Sequence, residues 1–175
     1  MNEHFTKING MVILRCGDSH VHQNLVVKSG YDVLLKVLSG QANDSSRLKY
    51  IILGKGNASS NSATFSLQTP YTEQLQIASV STDNLDELYL PPDQQSDYIN
   101  NTIILYSETT DAFRGRSVAE VGLFTKGHQL FARCAFDIPF IIPQNNSLKV
   151  VWAFSTLPLD IYQFTRTFDI TYYSI

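Results

Sequence analysis

Residues 118–136 read VAEVGLFTKGHQLFARCAF. Apolar side chains alternate through Ala119, Val121 and Leu123, and again through Leu130, Ala132 and Cys134. That period is the one a strand uses to bury a single face. The four residues between, Thr125-Lys126-Gly127-His128, carry a glycine where a tight turn needs a positive φ. The stretch therefore predicts a β-hairpin. A slip of one residue would set the apolar row against the polar row. Pairing Phe124 with Gln129 avoids that slip, and it places Glu120 directly across from Arg133. Directly opposed charges of opposite sign contribute roughly 0.2–1 kcal/mol in a sheet. Glu120 and Arg133 are thus expected to be a structural pair. A catalytic role for Glu120 is the less favoured reading, because charges within apolar strands sit in pairs.

The rest of the chain agrees with a β-rich fold. Ten Phe, nine Tyr and one Trp accompany many Val, Ile and Thr in 175 residues, a composition that favours strands. The length suits one domain with a substantial core. Only 17% of residues are charged, and the net charge is −3. A low-charge, aromatic-rich surface suits burial against neighbours. No basic run points to nucleic acid. No stretch approaches the ~20 apolar residues of a membrane-spanning helix, and the first residues carry no secretory pattern. Cys16 and Cys134 are read as reduced, packed thiols, in keeping with a reducing compartment.

Taken in order, residues 11–16 and 21–28 read as two strands. Ser29 is the expected N-cap of one short helix, with Val33, Leu34, Val37 and Leu38 at helical spacing and Gly40 just beyond its end. Residues 48–53, 74–80, 98–107 and 147–155 read as further strands. Residues 136–143 have Pro139 and Pro143 around an apolar core, which confines them to an edge or a crossing between sheets. Residues 81–97, with Pro91 and Pro92, and residues 108–117, with Arg114 and Arg116, read as exposed loops suited to partner contacts. Residues 156–175 are aromatic and read as a last strand or as an arm. The expected architecture is an antiparallel β-sandwich of about eight strands with one short helix packed on a sheet. It spans residues 1–155, with 156–175 as C-terminal strand or arm.

Few residues carry a chemical signature. His20 and His22 share one side of a strand, a weak candidate pair for a metal; polar residues on the solvated side of an edge strand is the favoured reading. Gly54-Lys55-Gly56 lacks the spacing and the Ser or Thr of a phosphate loop. Cys134 faces the predicted core, which disfavours a nucleophile. Asp83, Asp86 and Glu87 do not match a calcium loop. Tyr89, Tyr98 and Tyr106 flank the long loop and would stack on sugar rings in a carbohydrate-binding reading.

Val-Ala-Glu-Val-Gly-Leu-Phe (118–124), Leu-Phe-Ala-Arg (130–133) and Ser147 to Trp152 together resemble the C-terminal half of small structural proteins of tailed bacteriophages. Asn24 to Gly30 and Tyr50 to Gly56 resemble their N-terminal half. The Asn/Ser-rich run after Gly56 and the stretch 156–175 depart from that pattern. The resemblance implies a non-enzymatic virion protein without a cofactor, made in the host bacterial cytoplasm. It would act in the tail, baseplate or fibre attachment, with head decoration as the alternative and binding of a host surface glycan as the rival. Its partners would be itself, as a ring or trimer, and other virion proteins. The residues expected at contacts are Tyr89, Pro91, Pro92, Arg114, Arg116, Tyr162, Phe164, Phe168 and Tyr172.

Overall fold

The computed structural model describes residues 8–16, 18–56, 64, 66–81 and 102–155. These form strands β1 (Asn9–Cys16), β2 (Asp18–Val26), β3 (Leu48–Gly54), β4 (Pro70–Gln76), β5 (Ser79–Ser81), β6 (Thr102–Glu108), β7 (Ser117–Thr125), β8 (Leu130–Ile141) and β9 (Lys149–Ser155), with one helix, α1 (Lys28–Leu38). Every pairing is antiparallel. The strand order is β4-β3-β7-β8-β2-β1-β9-β6-β5.

Two places turn this order into a two-layered, nearly closed sheet. The first is β2, which pairs along its length with β1 and then, at Leu25 and Val26, with β8. The second is the passage from β4 to β5. Ile77 N–H donates to Lys49 O on β3, and Ala78 N–H donates to Tyr106 O on β6. The chain thus changes layers between adjacent residues, and β4 and β5 count as one bent strand. Among the described residues the fold is mainly β, antiparallel, with eight strands on that count and one α-helix. Closure of this kind leaves little free edge.

The core lies between the layers. Val12, Leu14, Leu105 and Trp152 from one layer meet Ile51, Leu53, Val121, Leu123 and Phe136 from the other. Met11 and Ile13 point the opposite way from Val12 and Leu14 and are buried as well. An uninterrupted apolar run is what a strand covered on both faces requires. Pro139 falls within β8, where the strand pairs with β7 around Val118↔Phe140. β2 joins β8 only at the other end, so the missing N–H of proline breaks no ladder there.

The predicted hairpin forms, but in a different register. Leu123 pairs with Ala132 and Phe124 with Leu130, so Phe131 is an extra residue and β8 bulges. The turn explains the bulge. His128 N–H donates to Thr125 O (2.9 Å), and Thr125 N–H donates to Gln129 O (3.0 Å). The left-handed residue is His128 (φ 59°), not Gly127. Histidine tolerates that region better than most residues, and its ring stacks on Tyr50 at 5.3 Å. Gly127 serves close approach instead: a Cβ there would lie 3.2 Å from Ser45 Cβ and O. As a result Gly122, not Glu120, stands opposite Arg133.

The helix begins one residue earlier than its expected cap. Val27 occupies the N-cap position without a side-chain bond, and Ser29 Oγ donates to Leu130 O on β8 instead (2.5 Å). Gly30 lets the helix start cross β8, since a Cβ would sit 2.1 Å from Phe131 O. At the other end Gly40 (φ 72°) donates to Val37 O while Gln41 donates to Lys36 O, a glycine-terminated helix end. Val33 is buried, but Val37 and Leu38 are exposed. The apolar face predicted for this helix therefore packs only in part.

Candidate functional site

Glu120 is fully buried on β7 and Arg133 nearly so on β8. They share one face of the hairpin, diagonal rather than opposed. Glu120 Oε2 accepts from Arg133 Nε (3.0 Å) and Nη2 (2.8 Å). The same carboxylate also gathers the chain that follows β3. Oε1 accepts from Gly56 N–H (3.1 Å) and Thr69 N–H (2.7 Å), and Oε2 accepts from Gln68 N–H (3.0 Å). A carboxylate offers about four lone-pair positions, and these five bonds saturate it. It has no position left from which to take a substrate's proton. Its action is to tie both ends of the 55–69 connection to the hairpin.

The glycines beside it follow from this geometry. A Cβ on Gly54 would lie 2.6 Å from Glu120 Oε1, and one on Gly56 would lie 2.7 Å from it. Gly54-Lys55-Gly56 is thus a cradle for a protein carboxylate. The link is invisible in sequence because Glu120 lies so far along the chain. Gln68 and Thr69 were missed for the same reason, since a backbone N–H carries no residue-type signal.

A second constellation sits nearer the surface. Arg116 forks onto Glu73, Nη1 to Oε2 at 2.8 Å and Nη2 to Oε1 at 2.5 Å. Its guanidinium also lies over Tyr71 (5.0 Å) and Phe113 (5.1 Å). Lys55 Nζ lies 5.5 Å from the Tyr71 ring, and Tyr71 Oη donates to Ser117 O (2.6 Å). The fork from Arg116 holds the Glu73 carboxyl down to about 2.

The remaining candidates are scattered. Arg116 is engaged within its own chain, and Arg114 pairs with Asp111 at 2.7 Å. Their loop is anchored rather than free, because Phe113 is buried and Thr109 exchanges bonds with Leu148. His22 does not lie on a solvated face. It pairs in register with Val12, a core residue, and its half-buried ring lies 4.5 Å from Phe136. His20 pairs with Leu14. Among the described residues no three of His, Cys, Asp and Glu are placed to hold a metal ion. Burial pushes the Cys134 thiol up to about 12, which makes it a poor thiolate source. Tyr89, Pro91, Pro92, Tyr98, Tyr162, Phe164, Phe168 and Tyr172, with Asp83, Asp86 and Glu87, lie outside the described residues.

No protein-family model, no curated protein and no solved structure matches this chain.

Proposed function

We propose that this chain is a structural component of a tailed-bacteriophage virion, one that acts by assembling with copies of itself and docking to tail, baseplate or fibre proteins. The observation that carries the proposal is the apolar surface left facing water. On α1, Tyr31, Leu35 and Leu38 are spaced to share one side of the helix, and Leu38 is 83% exposed. On the far end of β8, Ile138 and Ile141 are 68% and 65% exposed. Exposed apolar groups that cluster on particular elements mark surfaces that another protein covers. The low charge of the chain and the motif resemblance described above support the same reading.

Mass spectrometry of purified particles, with heads and tails separated, tests it. The expected result is the chain in the tail fraction, at a copy number set by ring or trimer symmetry. Its presence in heads alone would replace docking to the tail with head decoration. Its absence from both fractions would overturn the virion reading.

A further inference from the structure

α1 packs on the rest of the chain along one side only. Gly30 and Val33 are its buried residues, and Leu34 and Val37 border an apolar groove beside them. Tyr31, Leu35 and Leu38 are turned away from that side and are exposed. Residues at such spacing form one strip along a helix. Asp32 and Lys36 lie four residues apart on one flank of the strip, and both are exposed. Among the described residues neither of them has an ion-pair partner. The open side of α1 thus carries an apolar strip with an unpaired acid and an unpaired base beside it.

We infer that α1 packs antiparallel against α1 of a second copy of this chain, across a two-fold axis. The inference rests on the reading of the chain as a self-assembling protein and names the contact. In an isologous pair residue i meets j and j meets i. The register that sets Tyr31 across from Leu38 of the second copy also sets Leu34 across from its Leu35. Each apolar group on the open side then has an apolar partner. Antiparallel packing also brings like flanks together. Asp32 therefore comes within one residue, ~1.5 Å of helix rise, of Lys36 of the second copy, and the axis repeats the pair. A parallel pairing would instead lay the charged flank along Leu34 and Val37 of the second copy. Charge complementarity of this kind fixes register and orientation more than it adds affinity. The helix has 11 residues and spans only ~16 Å. A contact of that length falls short of the ~1,200 Å² that stable interfaces bury. The dimer is thus expected to be weak in dilute solution and to form at the high local concentration of an assembly.

Sedimentation equilibrium of the full-length protein, from micromolar to millimolar concentration, supplies the test. Leu35→Asp changes both sides of the contact and is expected to raise the dimer Kd by roughly a hundredfold. Ile138→Asp, on the other exposed apolar surface, should leave that Kd unchanged. Asp32→Lys and Lys36→Asp each set like charges across the axis and should raise the Kd roughly tenfold. Mixed together, these two variants should dimerise at close to the wild-type Kd, because every Lys of one then faces an Asp of the other. All four positions are exposed, so the unfolding midpoint of each variant should stay near that of the wild type. A chain that stays monomeric throughout would overturn the inference and leave α1 to a different virion protein. An oligomer indifferent to Leu35→Asp, or charge variants that fail to associate when mixed, would overturn it too. Particles that contain the chain while the purified protein stays monomeric would end this inference alone. A dimer formed by a chain absent from particles would end the virion reading alone.

Discussion

Arg116–Glu73 and Arg133–Glu120, two of the arginine–carboxylate pairs among the described residues, differ in one respect that outweighs geometry. Arg116 and Glu73 form the better fork, with two parallel bonds. Their side chains are 31% and 36% exposed. In the bonds described above Arg133 reaches a single oxygen of Glu120, but those side chains are 3% and 0% exposed. When one member of an exposed pair is lost, water solvates the other, and such pairs contribute little. When one member of a buried pair is lost, a charge is stranded away from water. Glu120 adds a further difference, because three backbone N–H groups depend on it as well. Burial, not bond count between the charges, ranks the two.

The largest expected effect breaks the buried side of the comparison. Arg133→Ala should destabilise the fold by about 3–5 kcal/mol, measured by denaturant unfolding. Arg116→Ala should cost clearly less in the same assay, and an equal cost would show that burial does not separate the pairs. Combining Glu120→Ala with Arg133→Ala should cost less than the sum of the single changes, by about 0.5–3 kcal/mol. Simple additivity would mean that the two side chains do not act together.

A smaller effect is expected where the buried carboxylate meets its cradle. Gly56→Ala would set a methyl group 2.4 Å from Gln68 Cβ and 2.7 Å from Glu120 Oε1. Overpacking of this kind costs typically about 1–3 kcal/mol. Unfolding at wild-type denaturant concentration would show that the 55–69 connection shifts freely away from the carboxylate.

The smallest effect concerns the exposed pair and depends on pH. Glu73 titrates at about 2 in the folded chain, against an ordinary value of 4.5. A depressed folded value means that its contribution is complete above the ordinary value and is lost as pH falls from about 4.5 toward 2. Arg116→Gln should therefore flatten the acid dependence of Tm across that interval. An unchanged slope would assign the acid sensitivity to other carboxyl groups.

What could be read from the sequence was what short-range pattern controls. The alternation around Val121 and Leu130 announced the hairpin, and Gly40 announced the helix end. Glu120 stood out as the one acid in an apolar strand, with Arg133 as its partner in reach. The register was not legible, since it turns on His128 adopting a left-handed conformation that glycine would ordinarily take. Ser29 has the chemistry of a cap, but the β8 carbonyl it bonds lies 101 residues away in sequence. The same distance hid the role of Gly54 and Gly56. His22 was misplaced because a strand's sequence does not say which neighbours flank it. The contacts of Arg116 with Tyr71 and Glu73 were not legible, because both come from a strand distant in sequence.

Amide hydrogen exchange at Gly56, Gln68 and Thr69 tests most directly the claim that one buried carboxylate holds the 55–69 connection. In the wild-type protein these three amides should exchange slowly and together, with protection near that of β7. In Glu120→Gln, which keeps the side chain's shape but replaces an accepting oxygen with an NH₂ group, their protection should fall while that of β1 and β9 persists. Fast exchange at the three amides in the wild type, or protection that survives Glu120→Gln unchanged, would contradict the account.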